Sequence, residues 1–252
     1  MQHTWLRALG KQHLPETLQI KGALYRRRRT FKHDFFAVTG LYQRTSDNVV
    51  LKIGRCAPIM GVPMAWIGRF LARREVRLFR LLDRVDGIPK LVGLWGATGF
   101  IHAYVEGRPL RKNDPIDDRF FPRLAALLDD LHRRGIAYVD LEKRENILVG
   151  EDGRPYLIDF QISWHVPDNR LGNTWIARRI LTLLQESDRY HLLKHWRRLR
   201  PDQLSPDEIA RSHRPPIWIA GHRLLFRPLT HLRRRLLVRL GERKSHKVRS
   251  PG

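Results

Sequence analysis

The chain has 252 residues, 42% of them apolar, enough for one domain with a proper core, and a net charge of +23 that points to anionic partners. Cys56 is its only cysteine, which excludes an intramolecular disulfide and favours a reducing compartment, with Cys56 itself expected as a small buried side chain. The N-terminus lacks a continuous apolar run and no window reaches the roughly 18 apolar residues of a spanning helix, so the expectation is a cytoplasmic chain, soluble or peripheral on the inner face of a membrane.

In chain order, Arg26 to Arg29 are expected in the first strand, where alternation leaves half of the charges on the solvent side. The turn to the next strand reads Thr30-Phe31-Lys32-His33-Asp34-Phe35-Phe36, with no glycine until Gly40. Asn48 to Ile53 is a β-branched strand that carries Lys52. Residues 66 to 86 form a helical pattern with Ile67, Phe70, Leu71, Leu78, Phe79, Leu82 and Val85 on one stripe. Glu75 falls four after Leu71 and four before Phe79, so it projects from the apolar side. A carboxylate there is costly unless paired, and Lys52 is the natural partner.

Gly87 to Gly93 reads as a turn and strand, and Phe100 to Gly107 as a strand running into a glycine turn. Leu124 to His132 is a helix with one buried face, closed by Arg133, Arg134 and Gly135. Asn146 to Val149 and Pro155 to Ile158 are short apolar runs around Glu151-Asp152-Gly153, a hairpin signal. Asp140 and Asn146 then sit on the loop entering the hairpin and Asp159 on its exit, gathered at one end. Oxygen ligands so placed suit Mg2+, which takes few protein ligands and completes its shell with water and phosphate. A further helical pattern covers Trp175 to Leu184, and the pair His191 and His195 lacks the third ligand of a zinc site.

The order Asp140, Asn146, Asp159-Phe160-Gln161, with Lys52 and Glu75 upstream, resembles the protein-kinase superfamily. The resemblance covers about residues 24 to 195 and implies an α+β, bilobal fold in a single domain over 1–252. Its small antiparallel β N-lobe spans about 20–102 and its mostly helical, truncated C-lobe 103–210. It further implies that Asp140 orients and deprotonates an acceptor hydroxyl, and that Asn146 and Asp159 hold Mg2+ on the phosphates of ATP. Lys52, paired with Glu75, would reach the α and β phosphates. The backbone of Ala103 and Val105 would read the adenine edge, and Lys32 or His33 would stand in for the missing glycine-rich loop as point charges.

Departures define the subclass. Tyr138-Val139 replaces His-Arg, the loop from Asp140 to Asn146 is one residue longer than usual, Gln161 replaces glycine, and no Ala-Pro-Glu follows. The layout is similar to the bacterial lipopolysaccharide-core sugar kinases and the RIO-type kinases. The expected function is ATP-dependent transfer of the γ-phosphate to a hydroxyl of a sugar-lipid or a Ser/Thr protein acceptor. The alternative is a pseudokinase, a kinase-shaped scaffold at a membrane or ribonucleoprotein. Neither acceptor nor oligomeric state is specified.

Residues 211–252 form a basic extension with twelve Lys or Arg against Glu242 alone, a net +11. Ile217, Trp218, Leu224, Phe226 and Leu236 intersperse with Arg223, Arg227 and Arg233 to Arg235. One reading is an amphipathic segment on an anionic membrane. Nucleic-acid binding through the same charge is the second, and a stripe packed on the C-lobe with its arginines solvated is the third. Ser245 to Gly252 is expected to be disordered.

Overall fold

The computed structural model describes residues 7–45, 47–59, 61–169 and 174–216. Six strands build the first lobe: β1 (Thr17–Ile20), β2 (Ala23–His33), β3 (Ala37–Arg44), β4 (Asp47–Gly54), β5 (Leu91–Trp95) and β6 (Gly99–Ala103). They form one antiparallel sheet in the order β1-β2-β3-β4-β6-β5. Leu18, Val38, Tyr42, Leu51 and Ile101 fill its core, as alternation along half-buried strands requires.

Arg26 to Arg29 lie in the second strand, not the first. The four residues of β1 are too short to show alternation in sequence, yet they pair in register with β2. Two register shifts in β2, at Arg27/Arg29 and Thr30/Lys32, break the alternation, so Arg26, Arg28 and Arg29 are all exposed. Arg27 alone turns inward, donating to the Leu14 carbonyl at 3.0 Å and pairing with Glu16.

Helix α1 (Ala65–Leu81) stops before the predicted residue 86, although Leu82 and Val85 beyond it stay buried. Phe70 departs from its predicted place and is 60% exposed. At 100° per residue it falls well off the stripe of Leu71, Leu78, Phe79 and Leu82 that the sheet receives. The helix approaches the sheet closely at Gly68, where any Cβ would overlap the Arg55 carbonyl oxygen just past β4. Cys56 is half-buried, with Sγ 3.2 Å from Thr98 Oγ1.

The second lobe holds α2 (Phe120–Arg133), α3 (Trp175–Leu199) and α4 (Pro206–His213), with a three-stranded sheet of β7 (Gly107–Pro109), β9 (Ile147–Gly150) and β10 (Pro155–Leu157). Two-residue strands β8 (Ile136–Ala137) and β11 (Trp164–His165) pair beside it. The predicted hairpin is present, with Gly153 at φ 70° in its turn. Helix α3 runs fifteen residues past the predicted Leu184, because its buried face there includes Ser187, Asp188, His191 and His195, polar residues that carry no apolar period. Helix α4 begins with a reciprocal Ser205/Glu208 capping box.

A continuous core joins Phe79 and Phe100 of the first lobe to Leu124, Leu131, Tyr138, Leu157 and Phe160 of the second. The fold is thus α+β and bilobal. No helix among the described residues is long and apolar enough to cross a membrane. Of the basic extension, residues 217–252 lie outside the described residues, and so do the readings placed on them.

Candidate active site

Strand β4 is buried between β3 and β6, and this fixes Lys52, opposite Thr39 and Phe100, at the floor of the interlobe cleft. The lysine is 9% exposed and its Nζ donates to Glu75 Oε1 at 2.8 Å and to Asp159 Oδ1 at 2.7 Å. Glu75 reaches it from the buried face of α1, as the sequence pattern demanded. Burial pulls the Lys52 pKa down, but the charges of Glu75 and Asp159 more than reverse this and leave it raised. Burial pushes Glu75 up against the pull of Lys52, whereas for Asp159 burial also pushes up but is outweighed by the charge and hydrogen bond of Lys52 together with the charges of Lys32 and Lys143, which leave its pKa lowered. A second Glu75 bond, from the Phe160 N–H at 3.1 Å, ties α1 to the segment that carries Asp159.

Asp140 follows Val139, which sits at φ 72°, and Asp159 itself sits at φ 63°. Left-handed backbone at a β-branched residue is costly, and strain of this kind collects where side chains must be aimed. Asp140 Oδ2 accepts from Asn146 Nδ2 at 2.8 Å and from Lys143 Nζ at 2.7 Å. The loop closes with a single 3-10 turn over Arg144–Asn146, and Asn146 at its end bonds back to Asp140. With its nitrogen spent on Asp140, the Asn146 oxygen is the atom left for a cation. Burial, aided by the Asp159 charge, raises the Asp140 pKa against the opposing pull of Lys143 and Asn146.

Buried groups far away in sequence hold this loop. Asp188 on α3 is fully buried and accepts the Tyr138 and Val139 N–H groups at 2.7 Å each, while His132 Nε2 lies 3.2 Å from the same carboxylate. His195 Nε2 donates to the Leu141 carbonyl at 2.8 Å, which places a proton on Nε2, and burial lowers the ring's pKa to about 4, which keeps it neutral near pH 7. Tyr138 takes the place expected of a histidine, donating its hydroxyl to the Ile158 carbonyl. Its ring begins an aromatic column in which Tyr138 meets Phe160 at 5.3 Å, Phe160 meets Phe79 at 5.5 Å, and Phe79 stacks on His102 at 5.5 Å. The column crosses from one lobe to the other.

Lys32, at the far end of β2, ion-pairs with Asp34 at 2.6 Å, and its positive charge adds to the lowering of the Asp159 pKa. The turn it precedes uses a side chain where glycine is missing: Asp34 Oδ1 accepts the Phe36 and Ala37 N–H groups at 2.9 Å each. At the connection between lobes the Ala103 N–H is spent on the Lys90 carbonyl at 2.8 Å, so Ala103 offers an adenine only its carbonyl. That carbonyl already accepts from His102 Nδ1 at 2.8 Å, which places the proton of the neutral His102 on Nδ1. Val105 follows on the same connection. A surface groove lined by Ile88, Ala103, Tyr104, Val105, Glu106 and Tyr156 opens along this connection; it includes Ala103 and Val105 but none of Lys52, Glu75, Asp140, Asn146 or Asp159.

The structure therefore brings Lys52, Glu75 and Asp159 into one cluster and Asp140 and Asn146 into a second, adjacent one. Lys143, Asp188 and His195 all bond to the same loop; the first two were not singled out from sequence, and His195 was weighed only as half of a rejected zinc pair. A lysine three residues after Asp140 was the one signal available. Asn146 and Asp159 supply hard oxygen donors whose chemistry fits Mg2+ with phosphate and water completing the shell. Among the described residues no cluster of three His, Cys, Asp or Glu side chains suits a metal.

No family model matches the chain. It is 34% identical over 113 residues to the serine/threonine-protein kinase kin-29 of Caenorhabditis briggsae, and 29% over 114 residues to the Caenorhabditis elegans protein of the same name. Each match covers 40% of this chain, which spans only 14% of the length of those relatives. Among solved structures, the Rio2 kinase of Chaetomium thermophilum superposes with a TM-score of 0.51 at 15% identity, over 71% of this chain and 59% of that one. A Rio2 kinase-ADP/Mg2+-phosphoaspartate complex from the same organism gives 0.52 at 16%, over 74% and 60%. The fold is thus protein-kinase-like, similar in architecture to the Rio2 kinase structures, and a 113-residue stretch of the sequence is similar to a serine/threonine-protein kinase.

Proposed function

We propose that the chain is an ATP-dependent phosphotransferase that moves the γ-phosphate of ATP to a hydroxyl group. The observation that carries this reading is the pairing of Lys52 with both Glu75 and Asp159, beside an Asp140 that Asn146 and Lys143 hold by one oxygen. Lys52 neutralises the α and β phosphates, and the Lys32 charge covers the phosphates from the turn above. The Ala103 carbonyl and the Val105 amide meet the adenine edge. Asn146 and Asp159 hold Mg2+, which when bound neutralises charge on the phosphates. The Rio2 structure with ADP and Mg2+ supports that cofactor pair for this fold.

Asp140 aligns the acceptor hydroxyl, whose oxygen bonds to the γ-phosphorus as the bond to ADP breaks and whose proton passes to the free Asp140 oxygen. Lys143, already on Asp140, places a positive charge where negative charge gathers. The acceptor we favour is a sugar-lipid hydroxyl of lipopolysaccharide type, or else Ser/Thr of a protein. We further place the chain in the cytoplasm, with residues 211–252 on an anionic membrane surface.

Mg2+-dependent turnover of labelled ATP tests this. Wild type should label one of three fractions, lipopolysaccharide, membrane lipid or soluble protein, while Asp140→Ala and Asp159→Ala label none. Tight ATP binding by wild type with no turnover on any fraction assigns the chain to the pseudokinase scaffolds instead.

A further inference from the structure

Helix α1 has two faces. Its inner face carries Gly68, Ala72, Glu75, Val76, Leu78 and Phe79 onto the sheet and toward the site. At 100° per residue, Trp66, Arg69, Phe70, Arg73, Arg77 and Arg80 fall within an arc of about 120° on the opposite side. All six are exposed, Trp66 at 59% and Phe70 at 60%. Leu81 continues this face at 41%, and Val62, just before the helix, is 57% exposed. The only carboxylate in α1 is Glu75, which is buried and bonded to Lys52, so the outer face has no internal counter-charge. The exposed Asp83 and Asp86 come only after the helix ends.

The face extends beyond the helix. Arg74 donates to the Ser163 carbonyl and lies 5.8 Å over the Trp164 ring, which joins α1 to a segment where Ile162 is 48% and Trp164 41% exposed. A surface that leaves Trp, Phe, Leu, Ile and Val in water beside a row of arginines is unlike an ordinary solvated helix face, which mixes both signs of charge with few large apolar side chains. A nucleic acid would satisfy the arginines with its phosphates and stack its bases on the aromatics, but it gives little reward for burying the aliphatic Val62, Leu81 and Ile162. The interface of an anionic bilayer rewards both parts, taking apolar and aromatic side chains between its headgroups and arginines against its phosphates.

We propose that the outer face of α1, with Val62, Ile162 and Trp164, docks on an anionic phospholipid membrane. This surface is distinct from residues 211–252 and does not depend on phosphotransfer. Docking sets the helix along the membrane plane over about 25 Å, the length of seventeen helical residues. Glu75 on the opposite side of the same helix then holds the catalytic cleft at a fixed height above the lipid.

The test uses the full chain with Cys56→Ser, which keeps a hydroxyl near Thr98, and Phe70→Cys carrying an environment-sensitive fluorophore. Trp66→Cys serves as a second probe position. Emission should shift to the blue on phosphatidylcholine vesicles containing phosphatidylglycerol and not on phosphatidylcholine alone. Arg73→Glu with Arg77→Glu should weaken the response about tenfold. Because the probe reports its own surroundings, membrane contact by other segments does not mimic the signal. Absence of the shift at both positions, even when the chain floats with the vesicles, overturns the proposal. An equal shift on single-stranded RNA without lipid also overturns it, and assigns the face to nucleic acid.

Discussion

Asp188 Oδ1 accepts the Val139 N–H at 2.7 Å, so a side chain of α3 holds the left-handed residue that aims Asp140. The other Asp188 oxygen accepts the Tyr138 N–H at 2.7 Å, and the whole carboxylate is sealed from solvent. Removing it leaves two buried N–H groups without an acceptor and the strained turn without a brace. Asp188→Ala should therefore cost about 3 kcal/mol of stability, measured by urea unfolding. Turnover should fall in the fraction that stays folded, because Asp140 loses its position. Unchanged stability would show that the loop is held by other means.

The Lys52 and Glu75 pair makes a different prediction, because a buried charge is worst when alone. Lys52→Met leaves Glu75 buried without its cation and should cost about 3 kcal/mol. Glu75→Gln keeps an oxygen for the Phe160 N–H, at 3.1 Å in the native site. The double variant should accordingly be more stable than Lys52→Met alone, although both lack turnover. A double-mutant cycle by chemical denaturation reads the coupling directly. Additive losses would mean that Lys52 answers mainly to Asp159.

The same contrast explains what could be read before the fold was known. Lys52, Glu75 and the hairpin lie on elements whose period is visible over a few residues, and Asp140, Asn146 and Asp159 follow from local spacing around that hairpin. Phe70 was misplaced because its apolar character was taken for a place on the stripe, whereas it sits a full 100° from its neighbour Leu71 and the sheet takes only the inner half of the helix. Asp188, and the bond that His195 makes to the loop, were missed for a stronger reason. Each is a polar residue on a buried helix face, and its partner, Val139 or Leu141, lies more than forty residues earlier in the chain. Nothing local announces such a contact. The loop one residue longer than usual had counted against a metal role for Asn146; the structure holds Asn146 on Asp140 through a 3-10 turn, which leaves that role to experiment.

Asn146 is the member whose metal role most needs testing. Its nitrogen is committed to Asp140, so alanine removes both a brace on the base and a cation ligand. Asn146→Ala should raise the Mg2+ concentration for half-maximal turnover about tenfold, the scale of losing one supporting group at a metal site. Lys143→Met, which also frees Asp140 but donates nothing to a cation, should lower turnover with the Mg2+ requirement unchanged. Equal Mg2+ curves for wild type and Asn146→Ala would confine Asn146 to positioning.

His195 gives a pH dependence whose sign follows from its burial. The ring is neutral in the folded chain, with Nε2 donating to the Leu141 carbonyl, and its pKa is lowered from 6.5 to about 4. The unfolded chain protonates it first as pH falls. Its contribution is complete above pH 6.5 and is lost progressively down to about pH 4, below which both states carry the proton. Over that window the slope is about 1.4 kcal/mol per pH unit. His195→Gln can still donate to Leu141 but does not titrate. Other groups titrate alike in both chains, so the difference between the two isolates His195. Wild type should lose stability relative to His195→Gln on going from pH 7 to pH 5, by unfolding in urea at each pH. Parallel profiles would place a proton on this ring in the native chain and with it a different bond to the catalytic loop.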